Sequence, residues 1–148
     1  MAQRTIVIKG NPIQKEAICD AALMPGQLVQ PVAGSATNKI EVLAGTVDPT
    51  MRIVIESMDT PFDGTYTAGD TIPYVVPSPG DEVYAWSTAP ADGTLAVGDL
   101  LTSNHLGGLR GLDAAVTPAG YGGEALAVSL EAEEYTAGVE TRIKVEVL

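Results

Sequence analysis

The chain is poor in the residue types on which most enzymes and metal centres rely. Its 148 residues include one cysteine, Cys19, one histidine, His105, one tryptophan and one phenylalanine, with eight Lys and Arg against nineteen Asp and Glu. A lone cysteine forms no disulfide within one chain and is compatible with synthesis in a reducing compartment. Zinc sites draw three or four ligands from His, Cys and acidic residues at recognisable spacing, which one His and one Cys do not supply. The acid-rich stretch DTPFDGTYTAGD, with Asp59, Asp63 and Asp70, lacks the D-x-D-x-D-G ladder of a calcium loop and reads as a solvated loop. No metal and no cofactor is expected.

Catalytic motifs are equally scarce. There is no G-x-S-x-G elbow, a Ser-His-Asp triad would have to use His105, and nothing positions a serine beside it. Cys19 would need a basic partner, and His105 is far away in sequence. GGLRG lacks the lysine and following Ser or Thr of a phosphate loop. Trimeric nucleotide hydrolases of similar size use a Ser/Arg clamp and a glycine-rich tail, whereas this sequence closes on the strand-like TRIKVEVL. The expectation is a protein that is not an enzyme.

Positive charge is also scarce. A net charge of −11 argues against nucleic acid and anionic membranes as partners, because both are negative. The charge is uneven: Arg4, Lys9 and Lys15 precede the first acid, Glu16, so residues 1–15 carry +3 and the rest, five basic against nineteen acidic, carries −14. Such a leading segment fits either a docking arm or a solvated edge strand. Long apolar runs are missing too. MAQRTIVIKG holds only three apolar residues in a row before Lys9, so no signal peptide is expected, and no stretch approaches the ~20 residues of a membrane helix.

What the sequence does contain is turns and short strands. Sixteen glycines and ten prolines are too many for a helical bundle, and with 45% of residues apolar and patterned, disorder is not expected. A chain of this length forms one domain, over 1–148, able to bury roughly 70% of its unfolded surface. TRIKVEVL alternates Ile143, Val145 and Val147 with Arg142, Lys144 and Glu146, and GEALAVSLEA alternates likewise, so the two form a closing hairpin. RTIVIKG is another short strand, ended by Gly10 and Asn11-Pro12. Four segments open on glycine followed by Gln or Asp: Gly26-Gln27, Gly69-Asp70, Gly80-Asp81 and Gly98-Asp99. There glycine supplies a positive φ and its neighbour's side chain satisfies a free backbone group.

Helical pieces are expected only around KEAICDAAL and AEEY. The count is nine or ten strands in an all-β barrel or sandwich, β-tulip-like, with little helix and an extended N-terminal segment. VGDLLTSN, HLGG and LRGL read as strand, loop, strand, which puts His105 at a hairpin tip. PGQLVQPVAGSATNKIEVLAG has the same order of glycine, polar residue, paired aliphatics, glycine loop and returning strand. Tyr84 and Trp86 in DEVYAW share one strand face by period two. They either cap a barrel core or anchor a protein or glycan partner.

TIVIKGNPIQKEA at 5–17, ALMPGQLVQ at 22–30, PGDEVYAW at 79–86, LAVGDLLTSN at 95–104 and the ending ALAVSLEA with TRIKVEVL occur in an order that resembles the capsid decoration, or cement, proteins of tailed bacteriophages. The resemblance spans nearly the whole chain and rests on the order of turn-and-strand segments. It implies a structural protein, made in the bacterial host cytoplasm, that binds the outer surface of the phage head as a homotrimer and stabilises contacts between major capsid protein subunits. Residues 1–15 would be the docking arm, with Arg4, Thr5, Ile6, Val7, Ile8 and Lys9 adding a strand to a capsid sheet edge. The alternative is a carbohydrate- or host-surface-binding β module that grips through Tyr84 and Trp86.

Overall fold

The computed structural model describes residues 5–44, 50–87, 94–104, 106–111, 125–134 and 141–148. Thirteen strands lie among the described residues, and no helix does. The first six are β1 Val7–Lys9, β2 Ile13–Cys19, β3 Val29–Pro31, β4 Lys39–Val42, β5 Ile53–Val54 and β6 Thr71–Val76. The remainder are β7 Glu82–Ser87, β8 Thr94–Leu95, β9 Leu100–Ser103, β10 Leu109–Gly111, β11 Ala127–Ser129, β12 Glu133–Glu134 and β13 Thr141–Val147. The all-β expectation holds. The strand count exceeds nine or ten because several strands are only two or three residues long.

KEAICDAAL is not helical: its first five residues lie in β2, and Glu133 and Glu134 of AEEY lie in β12. Lys, Glu and Ala favour helices, but Ala17 and Cys19 fall on one side of a strand whose partners β6 and β4 bury them, and that packing overrides local propensity.

The strands close into two small barrels. In the second half, β7, β13, β11, β9 and β10 pair in turn, and β10 returns to β7 through Leu109↔Ser87, so the ring has no open end. In the first half the order is β3-β4-β2-β6-β5, and the outer strands join through the Leu28↔Ile53 bridge. Val29 N–H donates to Arg52 O at 2.9 Å and Val54 N–H to Gln27 O at 3.0 Å across that join. Closure leaves few exposed sheet edges.

The two rings are copies of one topology. Each has a hairpin, a parallel step, then antiparallel neighbours back to the start: β3-β4-β2-β6-β5 matches β9-β10-β7-β13-β11. The registers agree residue by residue. Val29↔Val42, Gln30↔Glu41 and Pro31↔Ile40 correspond to Leu101↔Gly111, Thr102↔Arg110 and Ser103↔Leu109. Cys19↔Ile40 corresponds to Ser87↔Leu109, and Ala17↔Ile72 to Ala85↔Ile143. The sequence echo between the two glycine-led hairpins is therefore one part of a duplication that relates the five strands of one ring to the five of the other.

The glycine-led turns are built alike. Gly26, Gly69, Gly80 and Gly98 have φ between 92° and 95°. In each turn the side chain after the glycine accepts the N–H three residues back: Met24 to Gln27 at 2.8 Å, Thr67 to Asp70 at 2.9 Å, Ser78 to Asp81 at 2.8 Å and Ala96 to Asp99 at 2.9 Å. These turns start β3, β6, β7 and β9.

Two apolar clusters follow from the two rings. Ala17, Cys19, Leu23, Val29, Ile40, Val54, Ile72 and Tyr74 fill the first barrel. Val83, Ala85, Leu101, Leu109, Ala127, Ile143, Val145 and Val147 fill the second. Leu28, Ile53 and Val75 point out of the first barrel and pack with the second cluster, so the two barrels share a buried junction. Adjacent Ile53 and Val54 are both fully buried for this reason: one faces each core.

Candidate functional site

The N-terminal segment is part of the barrel from residue 5 onward. Ile6 is fully buried, and its carbonyl accepts the Tyr84 N–H at 2.8 Å. Ile6 N–H donates to the Glu56 carboxylate at 3.0 Å, and the Thr5 hydroxyl donates to the same carboxylate. Val7 and Lys9 pair antiparallel with Val83 and Glu82, with Lys9 Nζ 3.4 Å from Glu82. Val7 and Ile8 are half-buried; Thr5 and Lys9 are exposed. β1 is the last strand of its sheet, and the Lys9 side chain is exposed. Arg4 lies outside the described residues.

Tyr84 and Trp86 do share the outer face of β7, with Val83, Ala85 and Ser87 buried on the other side. That face is the junction between the barrels. Trp86 Nε1–H donates to Pro25 O at 3.0 Å, and Arg142, opposite Trp86 on β13, donates from Nε to the same carbonyl at 2.9 Å. The Arg142 guanidinium lies 4.4 Å from the Trp86 ring centroid and 4.2 Å from that of Phe62, so a cation fills the space between two aromatic faces. Phe62 meets Tyr84 edge-on at 5.8 Å, and Nη1 of Arg142 donates to Asp63 Oδ1 at 3.0 Å. Sequence reading found the aromatic pair but missed Pro25, Phe62 and Arg142, which come from three separate segments.

His105 lies outside the described residues; the residues on either side of it are tied by hydrogen bonds. Asn104 Oδ1 accepts the N–H groups of Leu106 at 2.8 Å and Gly108 at 2.9 Å, closing the β9–β10 turn. Gly107, at φ 84°, donates to Leu43 O and accepts from Leu28 N–H at 2.8 Å, so this hairpin tip is clamped to the first barrel. The tip thus has a structural task.

Cys19 is fully buried, with Sγ 3.0 Å from Thr67 O. Among the described residues no three His, Cys, Asp or Glu side chains gather as metal ligands. A cleft of about 270 Å³ beside the second barrel is lined by Thr50, Met51, Pro77, Ala125, Leu126, Val147 and Leu148, which offer no titratable side chain for chemistry. Burial raises the Tyr66 pKa above its ordinary 10.0, with Glu56 and Asp70 adding to the effect and a hydrogen bond with Ser57 opposing it.

These features define an all-β protein of two fused five-stranded barrels. No family model matches the sequence, and no curated protein does. A similar fold is found in the crystal structure of the head fiber gp8.5 N base in bacteriophage phi29. The two share 14% identity with a TM-score of 0.57, over 92% of this chain and 93% of that one. At that identity the likeness is one of fold.

Proposed function

We propose that this protein is a structural component of a phage virion, bound to the outer surface of the head, where it ties neighbouring major capsid protein subunits together. The observation that carries this reading is the fold shared, over nearly the full length of both chains, with a base that belongs to a phage head fiber. The order of turn-and-strand motifs, which resembles phage decoration proteins, supports it independently. The acidic surface and the use of Trp86, Arg142 and Gly107 to hold the barrels together fit a rigid body that binds other proteins and breaks no bond. A trimer at three-fold positions of the shell is the arrangement that the decoration-protein resemblance implies.

Added to heads that lack it, the purified protein is expected to give ordered density on the outer shell by cryo-electron microscopy, at regular lattice positions. It is also expected to raise the temperature at which the heads rupture. Heads that stay bare at saturating protein would overturn the proposal. Arg4→Glu with Lys9→Glu tests the N-terminal segment: if it carries the docking, occupancy falls at least about tenfold. Glu82 is only 15% exposed and keeps its second partner, Lys144 at 3.4 Å, so the melting temperature of the variant is compared with that of the wild type before occupancy is read.

A further inference from the structure

The duplication leaves one outer face covered in the first barrel and uncovered in the second. The Leu28↔Ile53 bridge and the Ile53↔Val75 pair set these three side chains in a row across the outside of the first barrel, where they are buried in the junction. In the second barrel the pairs Leu100↔Val128 and Val128↔Glu146 set the same row. The turn ahead of each row fixes the match. Gly26 N–H to Val54 O and Val54 N–H to Gln27 O recur as Gly98 N–H to Ser129 O and Ser129 N–H to Asp99 O. Val97 therefore stands where Pro25 stands, Leu100 for Leu28, Val128 for Ile53, Leu130 for Ile55 and Glu146 for Val75.

The aliphatic character of this face persists in the second barrel, but its cover does not. Leu28 and Ile53 are fully buried and Ile55 packs on the same cluster, whereas Leu100 is 44% exposed, Val97 is 65% exposed, and Val128 and Leu130 are half-buried. A barrel exterior that meets only water is free to be polar, and a group of adjacent aliphatic side chains left there marks a contact surface. The row ends on a carboxylate. Glu146 lies beside Val128, Asp99 belongs to the turn that carries Val97, and Glu146 forms no ion pair among the described residues. Residues 94–148 hold three basic side chains against eight acidic ones. Of the three, Arg142 is turned into the junction and Lys144 pairs with Glu82 at 3.4 Å.

We propose that this face of β9, β11 and β13 docks a basic polypeptide, whose aliphatic side chains cover Val97, Leu100, Val128 and Leu130 and whose flanking Lys or Arg side chains meet Glu146 and Asp99. Apolar burial supplies the affinity, and charge selects the partner. Nucleic acid and anionic membranes are repelled by the same carboxylates. A second copy of this chain is a poor occupant. Docked face to face, it sets acidic side chains against acidic side chains. Nor does its first barrel offer a copy of the junction edge, because on β2 Ile18 N–H already donates to Asn38 O at 3.0 Å and Asn38 Nδ2 donates to Glu16 O at 3.0 Å. The inference does not depend on where the protein resides in a virion.

The test is fluorescence anisotropy with a short labelled peptide of leucines flanked by lysines, set beside a counterpart of leucines flanked by glutamates. The lysine peptide is expected to bind the wild type with a dissociation constant of about 10 µM or tighter, and the glutamate peptide not to bind. Leu100→Ser weakens lysine-peptide binding at least about tenfold, and Val97→Ser serves if the first variant folds poorly. Both side chains are exposed, so each variant is expected to melt within a few degrees of the wild type. Glu146→Lys also weakens binding about tenfold, whereas Glu16→Lys, the same charge change at an exposed position of the first barrel, leaves it within about twofold. A lysine peptide that does not bind, a glutamate peptide that binds equally, or binding indifferent to Leu100→Ser would each overturn the proposal. So would a wild-type oligomer that Leu100→Ser dissociates, since the face would then belong to a second copy. Heads are not needed, so the result is separable from the test of capsid binding.

Discussion

Arg142 lies against the face of Trp86 while both donate to one acceptor, the carbonyl of Pro25 in the other barrel. Beside the buried apolar junction of Leu28, Ile53 and Val75, this arrangement adds two directional hydrogen bonds and a stacked cation between the barrels. The Arg142 side chain is only 10% exposed, so its bonds are little weakened by competing water.

Arg142→Lys keeps the charge but loses the planar stack and the Nε donor. It is expected to cost about 1–3 kcal/mol, measured by urea denaturation. Trp86 is the only tryptophan, so its emission reports the junction directly, and a red shift in the folded variant is expected. An unchanged spectrum and midpoint would show that Phe62 and Pro25 hold the junction without the arginine.

Gly80 and Gly107 both have positive φ, at 93° and 84°, but differ in the room around them. A Cβ at Gly80 meets nothing within 4 Å, whereas one at Gly107 comes within 2.6 Å of Val42 Cγ1. Gly80→Ala is expected to cost about 1–2 kcal/mol through backbone strain alone. Gly107→Ala adds an overpacking cost of about 1–3 kcal/mol and loosens the clamp on Leu28 and Leu43. Equal losses in stability would contradict the close approach.

How much of this was legible in the sequence differs by level. Period-two alternation and the glycine-led turns revealed the strands because both are local, and the four turns bond as their residue types dictate. The echo between the hairpins was visible because glycine and the following polar residue are required by φ and by a free N–H. The rest of the duplication was hidden, since core positions tolerate Ala17 and Ala85 but also Tyr74 against Val145 and Cys19 against Ser87. One further signal was present: Tyr66-Thr67-Ala68-Gly69 recurs as Tyr135-Thr136-Ala137-Gly138, ahead of β6 and β13. The junction could not be read at all, because Pro25, Phe62, Trp86 and Arg142 meet only once both rings have closed.

The correspondence of Cys19 with Ser87 gives a third prediction. Both are buried at the same register position, where each ring makes its parallel step. The Cys19 thiol is 0% exposed and donates to Thr67 O at 3.0 Å, so a thiol reagent is expected to react only at the rate at which the first barrel opens, and stoichiometrically in denaturant. Cys19→Ser, which can keep that donor and matches its counterpart, should cost less than about 1.5 kcal/mol. Cys19→Leu, which overfills the ring, should cost about 1–3 kcal/mol. Fast labelling of the native protein would contradict this burial.

The last prediction concerns alkaline pH. The Tyr66 hydroxyl donates to Ile55 O at 2.7 Å within the first barrel, and burial raises its pKa above the 10.0 of a free tyrosine. In the unfolded chain the hydroxyl ionises near pH 10; in the folded chain it ionises at higher pH, so between the two the unfolded state binds fewer protons. The stability Tyr66 contributes is therefore fully present below about pH 10 and is lost as pH rises from there through the raised folded value. Tyr66→Phe forfeits the hydrogen bond, at about 1 kcal/mol near neutrality, but should flatten the fall in melting temperature above pH 10. In a spectrophotometric titration of the folded protein Tyr66 should ionise above the pH 10 of a free tyrosine. A variant whose melting curve falls above pH 10 as steeply as the wild type would place the alkaline sensitivity in another group.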